Sequence, residues 1–105
     1  MKNPKLNMAL GLSMRAGKCI AGDFACEKAL KSGKAKLILV EEIASDNTKT
    51  RYSEWCKTRN VPYLVIDGVS NAVGKPGRMI FAISDMGFVK MIQSAFDTDG
   101  NSDQR

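Results

Sequence analysis

The sequence predicts an α/β protein, a three-layer α/β/α sandwich, on three observations. Stretches with helical apolar spacing alternate with short continuous apolar runs along the chain. The junctions between them carry glycine or a capping residue. The 105 residues, 44% of them hydrophobic, suffice for one core and are too few for two ordinary domains, and the sequence contains neither an internal repeat nor an interdomain linker.

Asn3-Pro4 supplies an N-cap followed by proline at the first helical position. Leu6, Ala9, Leu10, Ser13 and Met14 then recur at helical spacing, which predicts a first helix ending near Ala16-Gly17. Lys18–Ala21 is a brief strand closed by Gly22. A second helix follows from Asp23 to about Ser32, with Cys26, Ala29 and Leu30 as its inner stripe and Gly33 as its stop. Ala35–Val40 contains Leu-Ile-Leu-Val in succession, the pattern of a central strand covered on both faces.

Ser45, Asp46 and Asn47 offer caps for a third helix through Arg59, with Tyr52, Trp55 and Cys56 on its buried side and Asn60 ending it. Val61–Ile66 is the next strand, with Pro62 tolerated near its start. Val69–Val73 makes one helical turn before the loop Gly74-Lys75-Pro76-Gly77-Arg78, and Met79–Ile83 is a fourth apolar strand. Ser84-Asp85 caps a last helix whose apolar positions include Phe88, Met91, Ile92 and Phe96. From Asp97 the segment DTDGNSDQR contains no apolar residue, so residues 97–105 read as a disordered polar tail and 1–96 as the single domain.

Charge is placed unevenly. The chain carries 16 Lys+Arg against 11 Asp+Glu, a net +5. Within the first 36 residues Lys2, Lys5, Arg15, Lys18, Lys28, Lys31, Lys34 and Lys36 face only Asp23 and Glu27. A field of one sign concentrates polyanions and speeds their association, which makes nucleic acid the natural partner, although a merely soluble lysine-rich surface reads equally well on charge alone. Cys19, Cys26 and Cys56 form no C-x-x-C pair, and no histidine is present to complete a zinc site; reduced buried thiols are expected and no metal. The N-terminal segment lacks the apolar core of a secretory signal and no run is long enough to span a bilayer, so the expected location is cytoplasmic, with no membrane partner.

Several chemistries are argued against by spacing. Gly11 and Gly17-Lys18 enclose five residues where a phosphate loop has four, Cys19 stands where a magnesium-binding hydroxyl belongs, and a helix precedes these glycines where a strand is needed. Glu41 and Glu42 are adjacent, so on a strand they point to opposite faces, and they read as a solvated loop entrance. Cys26 near a helix start invites a nucleophile reading, but its place in an apolar stripe favours a core thiol. No cofactor site and no catalytic residues emerge.

What remains is the junction Gly17-Lys18-Cys19-Ile20-Ala21-Gly22-Asp23-Phe24-Ala25-Cys26-Glu27-Lys28. Free N–H groups at a helix N-terminus attract phosphate, and Gly22 permits close approach of a backbone. Lys28 follows Phe24 by one turn, and Lys31 follows Lys28, a spacing at which an aromatic can stack an unpaired base while its neighbours hold phosphates. Equally open is a Phe24 tucked against a neighbouring loop or used as a protein-docking anchor.

The segments GLSMRAGKCIAGDFACEKALKSGKAKLILVEEIAS, TKTRYSEWCKTRNVPY and GKPGRMIFAI resemble the kink-turn RNA-binding ribosomal protein superfamily, the archaeal and eukaryotic large-subunit type, and within it most resemble the bacterial YlxQ-type proteins. The resemblance covers the chain to about Ile83. It implies a four-stranded α/β/α sandwich with a mixed sheet, acting as a monomeric, non-catalytic binder of structured RNA, with ribosomal RNA or the ribosome as the expected partner. It also implies an RNA face at the start of the second helix and the loop before the last strand. Gly22 matches the family's helix-opening glycine, Lys28 its lysine one turn on, and Lys18 a basic residue after the strand-opening glycine. Gly74–Ile80 corresponds to the second loop, which adds Lys75, Arg78 and Met79 to Lys18, Gly22, Asp23, Phe24, Lys28 and Lys31. One departure stands out. Many kink-turn binders carry Asn-Glu where this chain has Phe24-Ala25, and neither residue reproduces the hydrogen bonds that read sheared G·A pairs. A different RNA target, weak binding, or a protein-interaction module that has lost RNA recognition are the readings this leaves.

Overall fold

A computed structural model describes residues 3–99. The elements run α1 (Pro4–Arg15), β1 (Cys19–Ala21), α2 (Asp23–Lys31), β2 (Leu37–Glu41), α3 (Asp46–Arg59), β3 (Tyr63–Ile66), α4 (Val69–Val73), β4 (Ile80–Ile83) and α5 (Met86–Asp99). The four strands form one mixed sheet in the order β1-β4-β2-β3. β4 pairs antiparallel with both β1 and β2, while β3 lies parallel to β2 across the α3 crossover.

Alternation along the two central strands builds a core on each face. Leu37, Leu39, Phe81 and Ile83 face α1, α4 and α5, packing with Leu6, Leu10, Val69 and Ile92. Ile38, Val40, Ile80 and Ala82 face α2 and α3, packing with Cys26, Leu30, Tyr52 and Cys56. Successive residues of a strand point oppositely, so a run with no polar interruption needs cover on both sides, and the helices divide three and two to give it.

The caps fold as the residues dictate. Asn3 Oδ1 accepts the Leu6 N–H at 3.1 Å, and Asn3 Nδ2 also donates to the Ala95 carbonyl, tying the start of α1 to α5. Ser45 Oγ accepts from the Thr48 N–H at 3.1 Å. Asn60 ends α3 in the left-handed region at φ 56. Asp85 Oδ2 accepts from the Phe88 N–H at 3.2 Å.

Three expectations need correction. The inner face of α5 is Val89, Ile92 and Ala95, with Phe88 and Phe96 half-buried, whereas Met91 is 45% exposed. Met91 falls about a quarter-turn off that stripe, since at about 100° per residue Phe88, Val89, Ala95 and Phe96 all lie within about 60° of Ile92 around the helix, whereas Met91 lies about 100° from it. Helix α5 continues through Asp99, so the polar tail placed from Asp97 begins no earlier than residue 100, and residues 100–105 lie outside the described part. Glu41 is 2% exposed rather than solvated. Its carboxylate accepts N–H groups from Gly68 at 3.0 Å and from Ser70, closing the N-terminus of α4 that would otherwise be left with orphan donors.

Gly11 lies inside α1 where a side chain would meet the Ala72 carbonyl at 3.4 Å, so it sets the approach of α1 to α4 and belongs to no phosphate loop. Among the described residues, no helix is long and apolar enough to cross a membrane.

Phe81, fully buried at the centre of the sheet, tests the core directly. Phe81→Ala should destabilise the fold by about 3–5 kcal/mol, read as a lower urea midpoint with an unchanged slope.

Candidate nucleic-acid interface

The antiparallel pairing of β1 with β4 decides what meets what. Ala21 lies opposite Phe81, so the end of β1 stands beside the start of β4. One residue further, the Gly22 N–H donates to the Ile80 carbonyl at 2.9 Å. Gly22 caps α2 at φ 110 and ψ 149, a conformation closed to residues with a Cβ, and no side chain caps the helix. The first N–H groups of α2 therefore keep their donors and positive partial charge.

The loop before β4 closes over this point. A side chain at Gly22 would lie 3.8 Å from Arg78 Nη1. Gly22, Asp23, Gly77, Arg78, Met79 and Ile80, with Thr48 of α3, line one shallow cleft of about 280 Å³. Gly74 and Gly77 both hold positive φ, and the Lys75 N–H donates to the Ser70 carbonyl at 2.9 Å, so the loop is a set turn that presents Lys75 and Arg78 to solvent. The two segments that the sequence pairs only by resemblance are neighbours.

The comparisons with known proteins agree with this architecture. Residues 4–92 match the family model for ribosomal protein L7Ae/L30e/S12e/Gadd45. The chain belongs to this family. It is 33% identical over 91 residues to the RNA-binding protein YlxQ of Bacillus subtilis (strain 168), covering 84% of this chain and 91% of that protein. With the RNA-binding protein YlxQ of Enterococcus faecium it shares 36% identity over 84 residues, covering 77% and 81%. A solved structure of a Bacillus halodurans C protein of unknown function superposes with a TM-score of 0.84 at 25% identity, covering 91% of this chain and 99% of that one. The 15.5kD RNA binding protein of Giardia lamblia shares the fold alone, at TM-score 0.72 and 16% identity over 90% and 83% of the two chains.

The individual side chains divide into two groups. Phe24 is 80% exposed, so it does not tuck against a loop, and Lys28 is exposed one turn further along the same family helix. Lys75 and Arg78 are exposed beside the helix start, and Met79 is half-buried against the α2/α3 core. Lys18 sits at the opposite end of β1, about 13 Å of extended chain from Gly22, where its carbonyl accepts from the Ser84 N–H. Lys31, at the far end of α2, is exposed but paired with Glu27 at 3.0 Å.

Asp23 is occupied by the protein itself. Its carboxylate accepts from Arg51 Nη2 at 2.8 Å and from the Tyr52 hydroxyl, which also lies 2.8 Å from the Asp23 carbonyl. The Arg51 guanidinium rests 5.2 Å from the Tyr52 ring centroid and 5.4 Å from that of Trp55. Partial desolvation pushes the Asp23 carboxyl up, but the hydrogen bonds from Tyr52 and Arg51 and the Arg51 charge together outweigh it and hold the carboxyl below its ordinary value. The negative charge that would repel a phosphate at the helix start is thus tied down by a cation.

Thr48 and Arg51 escaped the sequence reading. Ser45 signalled the helix start that fixes them, but nothing local says that α3 begins beside Gly22. The thiols are core groups: burial pushes Cys19 and Cys56 up to about 11 and Cys26 to about 12, which leaves almost no thiolate at neutral pH.

A group whose folded pKa is depressed contributes stability above its unfolded value and loses it as pH falls through the folded one. Asp23→Asn should therefore be less stable than the unaltered protein at neutral pH, and the gap should close as pH drops below 3.8, measured by urea denaturation across a pH series.

Proposed function

We propose that this protein is a non-catalytic binder of folded RNA, ribosomal-protein-like, acting as a monomer in the cytoplasm on a kink-turn-like element such as those of ribosomal RNA. The observation that carries the reading is the cleft in which the uncapped start of α2 meets the Arg78 loop. Family membership and relatives that are themselves named RNA-binding proteins support the same reading.

In this reading Gly22 lets an RNA backbone approach the α2 amides, Lys28, Lys75 and Arg78 take phosphates around it, and Met79 packs against a sugar or base. Asp23 holds Arg51 in place rather than touching RNA. Phe24 stacks an unpaired base. Lys31 lies outside the central cleft and takes a phosphate beside it, whereas Lys18, at the opposite end of β1, contacts only RNA that continues past the folded element. Because Phe24-Ala25 offers no acceptor for guanine edges, the element is read by stacking and backbone shape more than by G·A pairs. No step of chemistry is required, and the buried thiols supply no nucleophile.

Crosslinking in cells followed by sequencing of the bound RNA identifies the target. Against a synthetic copy of that RNA, reversing Lys28 and Arg78 to Glu should lower affinity at least about tenfold and flatten the log–log salt slope by about 1.4–1.8 for two lost phosphate contacts. Unchanged affinity in a folded variant rejects this face. A cellular partner that survives nuclease treatment would point instead to a protein-docking role for the exposed Phe24.

Phe24→Ala should cost about 1–3 kcal/mol of binding with no change in thermal stability, measured by fluorescence anisotropy and melting. A loss of fold, or no loss of binding, removes the stacking role.

A further inference from the structure

β1 is an edge strand, paired on one side only with β4, and α2 runs alongside it. Between them lies a groove of about 390 Å³ whose floor is Ile20, Ala25 and Ala29 and whose rim carries Lys28, Ser32 and Lys34. Its lining runs along α2 from Ala25, in the first turn, to Lys34 just past the helix end, and Gly22 and Asp23 of the central cleft stand before that first turn. Lys18 immediately precedes β1, at the end of that strand opposite Gly22.

The charges around this groove are unspent. Lys18, Lys28 and Lys34 are exposed and form no ion pair among the described residues, whereas the neighbouring acid, Glu27, is committed to Lys31. Compensation of the α2 dipole explains a basic residue in its last turn, a place already filled by Lys28 and Lys31. It does not explain Lys18, which is on no helix. A half-buried apolar floor between cations, on the helix whose start lines the central cleft, suits a single nucleic-acid strand that lays its sugars inward and its phosphates on the rim.

We infer that the β1/α2 groove is a second RNA subsite, which takes a single-stranded extension of the RNA held at the Gly22 cleft, with Lys18 and Lys34 on its phosphates. This rests on the RNA-binding reading and adds to it a requirement on the ligand: an unpaired strand beyond the folded element.

The test uses a bulged hairpin RNA, alone and with an oligouridine tail on its 5′ or 3′ end, against the full chain and a Lys18→Glu/Lys34→Glu variant. For the unaltered protein, one of the tails should tighten binding and steepen the log–log salt slope by about 1.4, the expectation for two single-strand phosphate contacts. In the variant neither tail should change slope or affinity, and the untailed hairpin should bind as before. Lys18→Gln/Lys34→Gln, which adds no negative charge, should show the same loss of the tail effect at a smaller magnitude. A tail effect equal in all proteins, or absent while the untailed hairpin binds, overturns the subsite and leaves the central cleft standing. Equal weakening of tailed and untailed RNA in the variant also overturns it, because the lysines would then act on the whole ligand. A hairpin that binds none of the proteins, tailed or not, overturns the RNA-binding reading and the subsite with it.

Discussion

The pairing of β1 with β4 is the constraint on which the interface depends. β1 is only three residues long, and antiparallel pairing with β4 fixes where it ends: Ala21 opposite Phe81, with the Gly22 N–H on the Ile80 carbonyl. A shift of one residue would turn Cys19 out of the core and carry the start of α2 away from the Arg78 loop. The register is held from both sides, because Phe81 and Ile83 are themselves locked between the α1/α4/α5 core and β2. The placement of cationic and amide groups at one sheet edge is therefore inherited from apolar packing in the sheet's centre.

Two buried or tethered carboxylates refine that placement. Glu41 leaves the end of β2 and closes the N-terminus of α4, so the short helix that leads into the Gly74–Arg78 loop is anchored to the central strand. Asp23 is clamped by Arg51 and Tyr52 from α3, which fastens the first turn of α2 to the crossover helix. Both acids bond to protein N–H, O–H or guanidinium donors, and the charge of Asp23, which lines the cleft, is compensated there by Arg51. Lys31 shows the opposite case, a cation whose field is partly cancelled by Glu27 on the same helix.

How much of this the sequence discloses depends on the range of the interaction. Caps and periods are local, so Asn3, Ser45, Asn60 and Asp85 mark element ends that the structure keeps, and the Leu-Ile-Leu-Val run is the central strand its lack of polar residues demands. Glu41 and Met91 defeat local reading for different reasons. An acid at a strand end is normally solvated, and only the arrival of α4, twenty-seven residues later, gives Glu41 its donors. Met91 is apolar but faces the wrong way, and residue type alone does not fix the phase of a stripe that five apolar residues share. Of the candidate site, Gly22, Phe24 and Lys28 were legible from helix geometry, Lys75 and Arg78 only through family resemblance, and Thr48 and Arg51 not at all, because strand order is a property of the sheet rather than of any segment.

Phe24-Ala25 gives the interface its particular character. A helix start can recognise nucleic acid through side chains that hydrogen-bond to base edges or through groups indifferent to sequence: amides, cations and aromatic faces. In this chain the first turn of α2 has spent its one carboxylate on Arg51 and Tyr52, and the next two side chains have no hydrogen-bonding atoms. In the proposed reading specificity has then to come from geometry, through the distance between the Phe24 ring at the helix start and the Arg78 guanidinium of the facing loop, both held by the same sheet edge. That distance is set by the β1–β4 register and the α3 clamp, so the elements that make the fold rigid would also select the shape of the ligand.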